Sequence, residues 1–409
     1  MKPRRAKLLA LLISSALALG IGELAFRIGG VSNPNFYGPD PERGWVLIPG
    51  TTGLWTKEGR AEIRINASGM RGPAVANPKP PGTFRIAVLG DSCVEALQVP
   101  EEQTFAKLLE AELATCPAIA TAAAAHDRRV ESLNFGVSGY GTAQELLALR
   151  TQVAPFQPDL VLLAFYAGND VRNNEKTLDQ EELRPYYELD PQGRLILDAS
   201  FRDHASYKFR RSWPARAFYG LVNRSRLLQG MKAAKSRLDG WLGTRKARRV
   251  EKGEAVQELG LDNAVYAPPT QDNWRKAWAV TEALLAEMKR EAEAKGARFA
   301  LVSLTTPIQV DPDASKRQAF AKALGVADLD YPDRRLAEAS ARDGIDYLAL
   351  APPLREIATR EKVFLHGFPN TAPGEGHWNA RGHRESAREI GRWLCGTVLA
   401  NAKSGDSQP

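Results

Sequence analysis

The sequence is poor in cysteine and histidine and contains only one long hydrophobic run. Its three cysteines and five histidines in 409 residues show no metal-ligand spacing, which argues against a disulfide scaffold or a zinc module. A single apolar run excludes a multi-span membrane protein. Neither a P-loop nor a dinucleotide-binding fingerprint is present, so we expect no metal and no cofactor. The 44% hydrophobic and 25% charged residues are typical of a globular protein large enough to form an enzyme pocket.

The hydrophobic run lies near the N-terminus, within residues 1–30. Basic residues fill Met1–Lys7, Leu8–Gly22 carries no charge, and apolar residues continue past Glu23 to Phe26. This pattern predicts a signal anchor, with a cleaved signal or a buried soluble helix as alternatives. For an anchor, the basic flank stays in the cytoplasm. We therefore expect a single-pass protein of the cytoplasmic (inner) membrane whose main body is periplasmic or otherwise extracytoplasmic.

Strands and helices alternate along most of the remaining chain. Residues 31–82 are predicted to be an irregular lead-in with a small β element, 83–402 an α/β domain, and 403–409 a disordered tail. Residues 171–273 are predicted to be a largely helical insertion, with a hairpin at 185–197. Alternating strands and helices predict a parallel, doubly wound sheet. The predicted strands are Arg85–Gly90, Glu131–Phe135, Asp159–Tyr166, Arg298–Leu304 and Ile345–Leu350, and the predicted helices are Glu101–Leu113, Thr142–Val153, Asp272–Lys295, Pro332–Asp343 and Asn379–Ala400.

Positive charge is concentrated in the insertion. Between Lys208 and Lys252, fourteen Lys and Arg residues stand against two acids, Asp239 and Glu251. Three interpretations are open: a solvated helical face, a surface that contacts anionic lipid, or a groove for an acidic polysaccharide. A nearby membrane anchor makes the lipid contact physically reasonable. No recognition motif accompanies the charge, so nucleic acid is not an expected partner.

Three polar motifs follow predicted strands. Ser92, in Gly-Asp-Ser, comes directly after the first strand, at the sheet edge where ligands bind in doubly wound folds. Its hydroxyl could act as a nucleophile, and its N–H could face a developing oxyanion. Gly139, in N-F-G-V-S-G-Y-G, could supply a second N–H, and Asn169, in A-G-N-D, a side-chain amide. Each motif alone is equally compatible with an ordinary turn or helix cap.

A fourth motif, G-H-W-N-A-R-G-H, precedes the last helix. His377 lies in the loop, where its ring could reach a serine across the sheet edge. His383 falls at the start of the helix, and we expect it to cap or pack. His366 is a weaker candidate for the base, and neither His126 nor His204 has supporting context.

The order of Ser92, Gly139, Asn169 and His377 resembles that of the SGNH (GDSL-like) hydrolase family, and the resemblance spans about Arg85–Leu394. It implies a flavodoxin-like, three-layer α/β/α fold with a parallel sheet, and cleavage or transfer of acyl esters without a metal. Ser92 would be the nucleophile and His377 the general base. The Ser92 and Gly139 N–H groups, with the Asn169 side chain, would form the oxyanion hole.

The chain departs from the family pattern at two points. Ala167 replaces the first glycine of the usual G-x-N-D block. Gly374 stands where the usual D-x-x-H block has its acid. Glu375 instead resembles the acid of the D-x-H-W arrangement in alginate O-acetyltransferase relatives, and it could orient His377. A Ser–His dyad, with a backbone carbonyl orienting the ring, is the alternative.

The resemblance and the predicted export together imply an extracytoplasmic serine esterase that hydrolyses acyl, in particular acetyl, esters on a cell-surface or exopolysaccharide. A polysaccharide O-acyltransferase would use the same residues, and a non-catalytic binding module would keep only the fold. An α/β-hydrolase is disfavoured because residues 136–140 break the G-x-S-x-G pattern at its last position. The resemblance also places the helices that carry Cys116 and Cys395 side by side, so a disulfide between them is possible in an exported protein.

Overall fold

The computed structural model describes residues 3–120, 129–235 and 262–400. His126, the predicted tail at 403–409 and the part of the basic segment from 236 to 252 lie outside the described residues.

In the described residues, the strands form a central parallel sheet and three separate hairpins. In chain order they are β1 (Tyr37–Asp40), β2 (Gly44–Leu47), β3 (Thr52–Trp55), β4 (Ala61–Arg64), β5 (Thr83–Gly90), β6 (Arg129–Asn134), β7 (Leu160–Phe165), β8 (Tyr186–Leu189), β9 (Leu195–Asp198), β10 (Arg298–Ser303) and β11 (Asp346–Ala349). The sheet has the order β11-β10-β7-β5-β6, and every neighbouring pair in it is parallel. The chain therefore reverses its direction of winding between β5 and β7, where doubly wound folds bind ligands.

The helices in the described residues flank this sheet or belong to the N-terminus and the insertion. They are α1 (Pro3–Ile28), α2 (Ser92–Glu95), α3 (Phe105–Ala114), α4 (Pro117–Ala120), α5 (Thr142–Ala148), α6 (Asp170–Asn173), α7 (Lys176–Asp179), α8 (Ala205–Arg211), α9 (Trp213–Arg224), α10 (226–235), α11 (Asp272–Ala294), α12 (Ala314–Leu324), α13 (Tyr331–Asp343), α14 (Ala351–Glu361) and α15 (Ala380–Trp393).

The core has two layers, one on each face of the sheet. Along β5, Ala87 and Leu89 join the cluster under α5, α11 and α13, whereas Ile86 and Val88 join the cluster under α3, α14 and α15. Successive side chains of a strand point to opposite faces, so a sheet covered on both faces needs continuously apolar strands. All six residues of β7 are accordingly buried. The flavodoxin-like α/β/α fold that the resemblance implied is confirmed.

Several element boundaries differ from the sequence predictions. The helix predicted from Glu101 begins at Phe105, because Thr104 caps it by accepting a hydrogen bond from the Lys107 N–H. Helices α5 and α15 end early and continue as π turns at 149–153 and 394–398. Helices α12 and α14 were not predicted. Of the residues in α12 only Ala321 is buried, so that helix has no apolar stripe to identify it.

The N-terminal segment forms one helix, α1, and the lead-in is more regular than expected. Lys7–Ile28 of α1 is long and apolar enough to cross a bilayer, and its residues are exposed except for the half-buried Gly22, Glu23 and Phe26. The lead-in forms two antiparallel hairpins, β1–β2 and β3–β4. The insertion carries the hairpin β8–β9 near the position expected from its turn residues.

A disulfide joins Cys116, just beyond α3, to Cys395, just beyond α15. Their Cα atoms lie 5.6 Å apart, and 279 positions separate them in the sequence. The remaining cysteine, Cys93, is buried and free. The disulfide that the sequence left possible is therefore present in the structure. It links two adjacent helices, α3 and α15, on one face of the sheet.

Candidate active site

Ser92 follows the carboxyl end of β5 and is the first residue of α2. Gly90 permits this sharp exit from the strand, because a Cβ at that position would come within 2.3 Å of the Val94 side chain and 2.8 Å of the Ala164 carbonyl oxygen. Asp91 caps the helix by accepting a hydrogen bond of 2.8 Å from the Cys93 N–H. The serine is partly exposed in the crevice between β5 and β7. Its placement agrees with the position predicted from the strand end.

The His377 ring reaches Ser92 from the loop before α15. The serine Oγ and the imidazole Nε2 are 2.8 Å apart, a good hydrogen-bond distance. The loop is held by Asn379, which caps α15 by accepting from the N–H groups of Arg381 and Gly382, both at 3.0 Å. The structure therefore brings together the two residues that the sequence singled out as nucleophile and base.

The carboxylate beside His377 belongs to Glu58 and not to Glu375. The His377 Nδ1 lies 2.6 Å from the Glu58 Oε2, and the His377 backbone N–H donates to the Glu58 Oε1 at 2.7 Å. Glu375 is exposed, and its side chain makes no hydrogen bond within the described residues. The expectation that Glu375 orients the imidazole is therefore wrong. The alternative of a backbone carbonyl at Nδ1 is wrong as well, because Glu58 occupies that place.

Glu58 lies in the turn between β3 and β4, and Asn370 fastens this turn to the loop before α15. The Asn370 amide accepts from the Gly59 N–H at 2.9 Å and donates to the carbonyls of Thr56 and Gly59 at 3.2 Å. On the other side, Gly376 leaves room for the acid, because a Cβ there would lie 2.2 Å from the Glu58 Oε1. The lead-in thus contributes directly to the site.

The Glu58–His377 pair shifts the pKa of both partners. Burial alone would raise the pKa of Glu58, but hydrogen bonds and charge from His377 hold it below the usual carboxyl value. Burial alone would lower the pKa of His377, but the hydrogen bond and charge of Glu58 outweigh that effect and raise it above 6.5. The pair is therefore arranged to stabilise a protonated imidazole, as the acid of a Ser-His-Asp triad does.

Asn169 lies across the crevice from Ser92, after β7. Its Nδ2 donates to the Asp91 Oδ2 at 3.1 Å. Asp91 thereby orients the amide, and the second hydrogen on Nδ2 is left for another acceptor. The retained asparagine is in place even though Ala167 replaces the usual glycine before it.

Gly139 lies in the loop after β6, which rests against the start of α2. The Val137 N–H donates to the Gly90 carbonyl at 3.1 Å. Gly139 has φ +78°, a conformation that favours glycine. Within the described residues, neither the Gly139 N–H nor the Ser92 N–H has a hydrogen-bond acceptor. Within the described residues, the segments after β5, β6 and β7 therefore each carry a donor with a hydrogen still free: the Ser92 N–H, the Gly139 N–H and the Asn169 amide.

Two buried side chains support the Gly139 loop. Glu95 accepts from the Ser138 N–H at 2.6 Å and from the Tyr37 hydroxyl at 2.9 Å, so it links the loop to the first hairpin. Arg184, from the insertion, donates to the Gly139 carbonyl at 2.7 Å and stacks over the Trp45 ring. The sequence motifs did not identify these residues, because both act across long sequence separations.

Two of the other histidines, His366 and His383, have structural contacts away from Ser92. His366 is buried, with Nδ1 bonded to the Gly376 carbonyl at 2.7 Å and Nε2 to the Thr305 hydroxyl at 3.1 Å, and burial lowers its pKa to about 4. His383 stacks on Phe105 and accepts from the backbone N–H of Phe105 at 3.3 Å, consistent with the packing role expected for it.

No family model and no curated protein matches the chain. Among solved structures, a catalytic mutant of an acetylxylan esterase from Geobacillus stearothermophilus is 12% identical with a TM-score of 0.37, covering 77% of this chain and 95% of that one. A lipase/acylhydrolase from Enterococcus faecalis is 12% identical with a TM-score of 0.35, covering 76% and 96%. The protein TesA is 15% identical with a TM-score of 0.33, covering 77% and 99%. At these identities and TM-scores the comparisons support no conclusion about this chain.

Proposed function

We propose that this protein is a serine esterase with a Glu58–His377–Ser92 triad. One observation carries the proposal: the 2.8 Å contact between the Ser92 Oγ and the His377 Nε2 continues through the 2.6 Å contact between the His377 Nδ1 and Glu58. A nucleophile bonded to a base that a third group orients is the recurring arrangement of nucleophilic acyl chemistry.

In the proposed reaction the Ser92 oxygen attacks the ester carbonyl carbon and its proton passes to the His377 Nε2. The carbonyl oxygen gains negative charge and accepts hydrogen bonds from the Ser92 N–H, the Gly139 N–H and the Asn169 Nδ2. His377 then gives its proton to the departing alkoxide oxygen, which leaves an acyl-serine. Water attacks this acyl group, gives a proton to His377, and the acid leaves as the Ser92 hydroxyl is restored.

The proposed location is the extracytoplasmic side of the cytoplasmic membrane. Basic residues lie at the N-terminal end of α1, and a disulfide joins Cys116 to Cys395. Basic residues favour the cytoplasmic side of a membrane helix, and disulfides persist in oxidising compartments. The proposed substrates are acyl esters, in particular acetyl esters, on cell-surface polysaccharide. Such polymers are accessible to an exported domain that is tethered to the membrane.

Incubation of the full-length protein with an acetylated exopolysaccharide tests this function. Free acetate should be released by the wild type and not by Ser92→Ala. Acetyl groups appearing on an added sugar acceptor, in place of free acetate, would show an O-acyltransferase that uses the same residues. An unchanged cellular phenotype in Ser92→Ala, together with no acetate release by the wild type, would instead support a binding module.

A further inference from the structure

A large cavity lies between the first hairpin and the helices of the insertion. Its volume is about 940 Å³, at the upper end of the range for sites that enclose small molecules. Apolar side chains from the hairpin and from helices α9 and α10 form much of its wall; among them are Tyr37, Trp45, Ile48, Val222, Leu228 and Met231. Such a wall suits the hydrocarbon part of a ligand.

Basic residues also line this cavity. Arg210, Arg216, Lys232 and Lys235 contribute to the lining, and Glu181 is the one acid among the lining residues that the structure describes. None of the four basic side chains forms an ion pair with an acid in the part of the chain that the structure describes. An anionic group held beside the apolar wall would pair with these basic side chains, so charge and apolar surface together select an amphiphile.

The helices that form the wall are attached to the C-terminal end of α1. The Glu23 carboxylate accepts from the backbone N–H groups of Arg226 and Leu227, both at 2.9 Å, and so caps the start of α10. Phe26 fits against Gly230, where a Cβ would lie 2.2 Å from its ring. Because Lys7–Ile28 is the segment that could cross a bilayer, these contacts hold the cavity at the level of the membrane surface.

Helices α8, α9 and α10 also carry exposed apolar side chains, of which Phe218 and Met231 line the cavity as well. Trp213 is 78% exposed, and Phe209, Phe218, Leu221 and Met231 are more than half exposed. Exposed aromatic and aliphatic residues interspersed with Arg and Lys are the composition of helices that lie in the headgroup region of a bilayer. The helices around the cavity therefore have the surface expected of protein in contact with lipid.

We propose that this cavity binds a single anionic lipid drawn from the bilayer, with an acyl chain along the apolar wall and the headgroup among Arg210, Arg216, Lys232 and Lys235. The proposal goes beyond the esterase function and does not depend on it, because it concerns binding. The cavity wall also includes Ser138, the residue before Gly139, so the occupant lies beside the loop of the candidate active site.

Photocrosslinking of the full-length protein in phosphatidylcholine nanodiscs tests the proposal. The probes are phosphatidylglycerol and phosphatidylcholine, each with a diazirine near the end of one acyl chain, and adducts are mapped by mass spectrometry. The anionic probe should label the cavity residues of α9 and α10, and the zwitterionic probe should label them about five-fold less. Adducts on α1, which contacts bulk lipid in every sample, provide the internal reference.

Two kinds of variant separate cavity binding from general lipid contact. Gly220 lines the cavity, and an ideal Cβ there meets no described atom within 4 Å, so Gly220→Trp should fill the space and remove the cavity adducts. Arg216→Glu combined with Lys232→Glu should reduce labelling by the anionic probe about five-fold or more. Lys322→Glu reverses an exposed charge on α12, outside the cavity, and should leave labelling by the anionic probe unchanged.

The proposal is overturned if both probes label the cavity equally, or if adducts occur on α1 alone. It is also overturned if the filled and charge-reversed variants label like the wild type. Thermal unfolding shows whether Gly220→Trp is folded. If it is not folded, the variant that combines Arg216→Glu with Lys232→Glu tests the proposal, since both substituted residues are exposed.

Discussion

Glu58 accepts two hydrogen bonds from His377, one from the imidazole Nδ1 and one from the backbone N–H. The two residues are 319 positions apart in the sequence. Because both carboxylate oxygens are engaged, the acid fixes the ring and turns its Nε2 toward Ser92. The proposed triad therefore takes its acid from the lead-in, upstream of the nucleophile.

Glu58→Gln should lower kcat by roughly 10³- to 10⁴-fold, the scale seen when the acid of a Ser-His-Asp triad is made neutral. The amide keeps the size of the side chain but does not stabilise a protonated imidazole. Ester hydrolysis by the purified protein measures the effect. Glu375→Gln is the matched control. It should keep wild-type activity, because the Glu375 side chain is exposed and makes no hydrogen bond within the described residues. Equal losses in both variants would contradict the assignment of Glu58.

The pH dependence of kcat/KM should follow His377. The base must be neutral to accept the serine proton, so activity falls as pH decreases through the pKa of His377. Glu58 raises that pKa above 6.5, which places the acid limb of the wild-type profile above this value. Removing the negative charge lowers the pKa, so the residual activity of Glu58→Gln should show an acid limb shifted to lower pH. A shift in the opposite direction would exclude this role for Glu58.

Gly376→Ala should reduce kcat by about ten-fold or more, since the new Cβ would displace the Glu58 carboxylate from the histidine. Gly296→Ala is a suitable control. Both glycines have positive φ, +72° and +78°, so both substitutions introduce backbone strain. Around Gly296, however, no described atom lies within 4 Å of an added Cβ. Comparable losses of kcat in the two variants would indicate general strain instead of a displaced acid.

Asn169→Ala should lower kcat by about 10²- to 10³-fold with little change in KM, because an oxyanion donor acts on charge that develops in the transition state. The Asp91 contact positions this amide, so Asp91→Ala should show a smaller loss of the same kind. Steady-state kinetics with a soluble ester separates the two constants. A variant with raised KM and unchanged kcat would show that Asn169 binds the ground state and the transition state equally, and would contradict its role as an oxyanion donor.

The Cys116–Cys395 disulfide should be detectable as one free thiol, that of Cys93, in the denatured and unreduced protein. Because the bond closes a long loop, Cys116→Ser should lower the free energy of unfolding by about 2 to 4 kcal/mol. Denaturant titration of the wild type with reductant provides the control and should give a similar loss. Three titratable thiols in the oxidised protein would contradict the pairing.

The fold could be predicted from the sequence because its signals are local. The continuous apolar run of β7 and the alternation of strands with helices were sufficient to predict a parallel, doubly wound sheet. Ser92 and His377 could be singled out for the same reason, since each follows a recognisable strand end or precedes a helix. Helix α12 could not be predicted, because it buries only Ala321 and so has no apolar stripe in its sequence.

The acid could not be predicted because no spacing rule connects it with the histidine. A motif of the D-x-H kind directs attention to Glu375, two residues from His377. Glu58 reaches the ring only because Asn370 fastens the β3–β4 turn to the histidine loop and Gly376 leaves space. These are tertiary contacts between segments far apart in the sequence, and a single sequence does not display them.

The most direct test of the triad is fluorophosphonate labelling of the full-length protein, with the modified residue mapped by mass spectrometry. The account predicts a single adduct on Ser92, absent in Ser92→Ala, and strongly slowed labelling in His377→Ala and Glu58→Gln. A well-folded wild type that does not react, or an adduct on another serine, would contradict an activated Ser92.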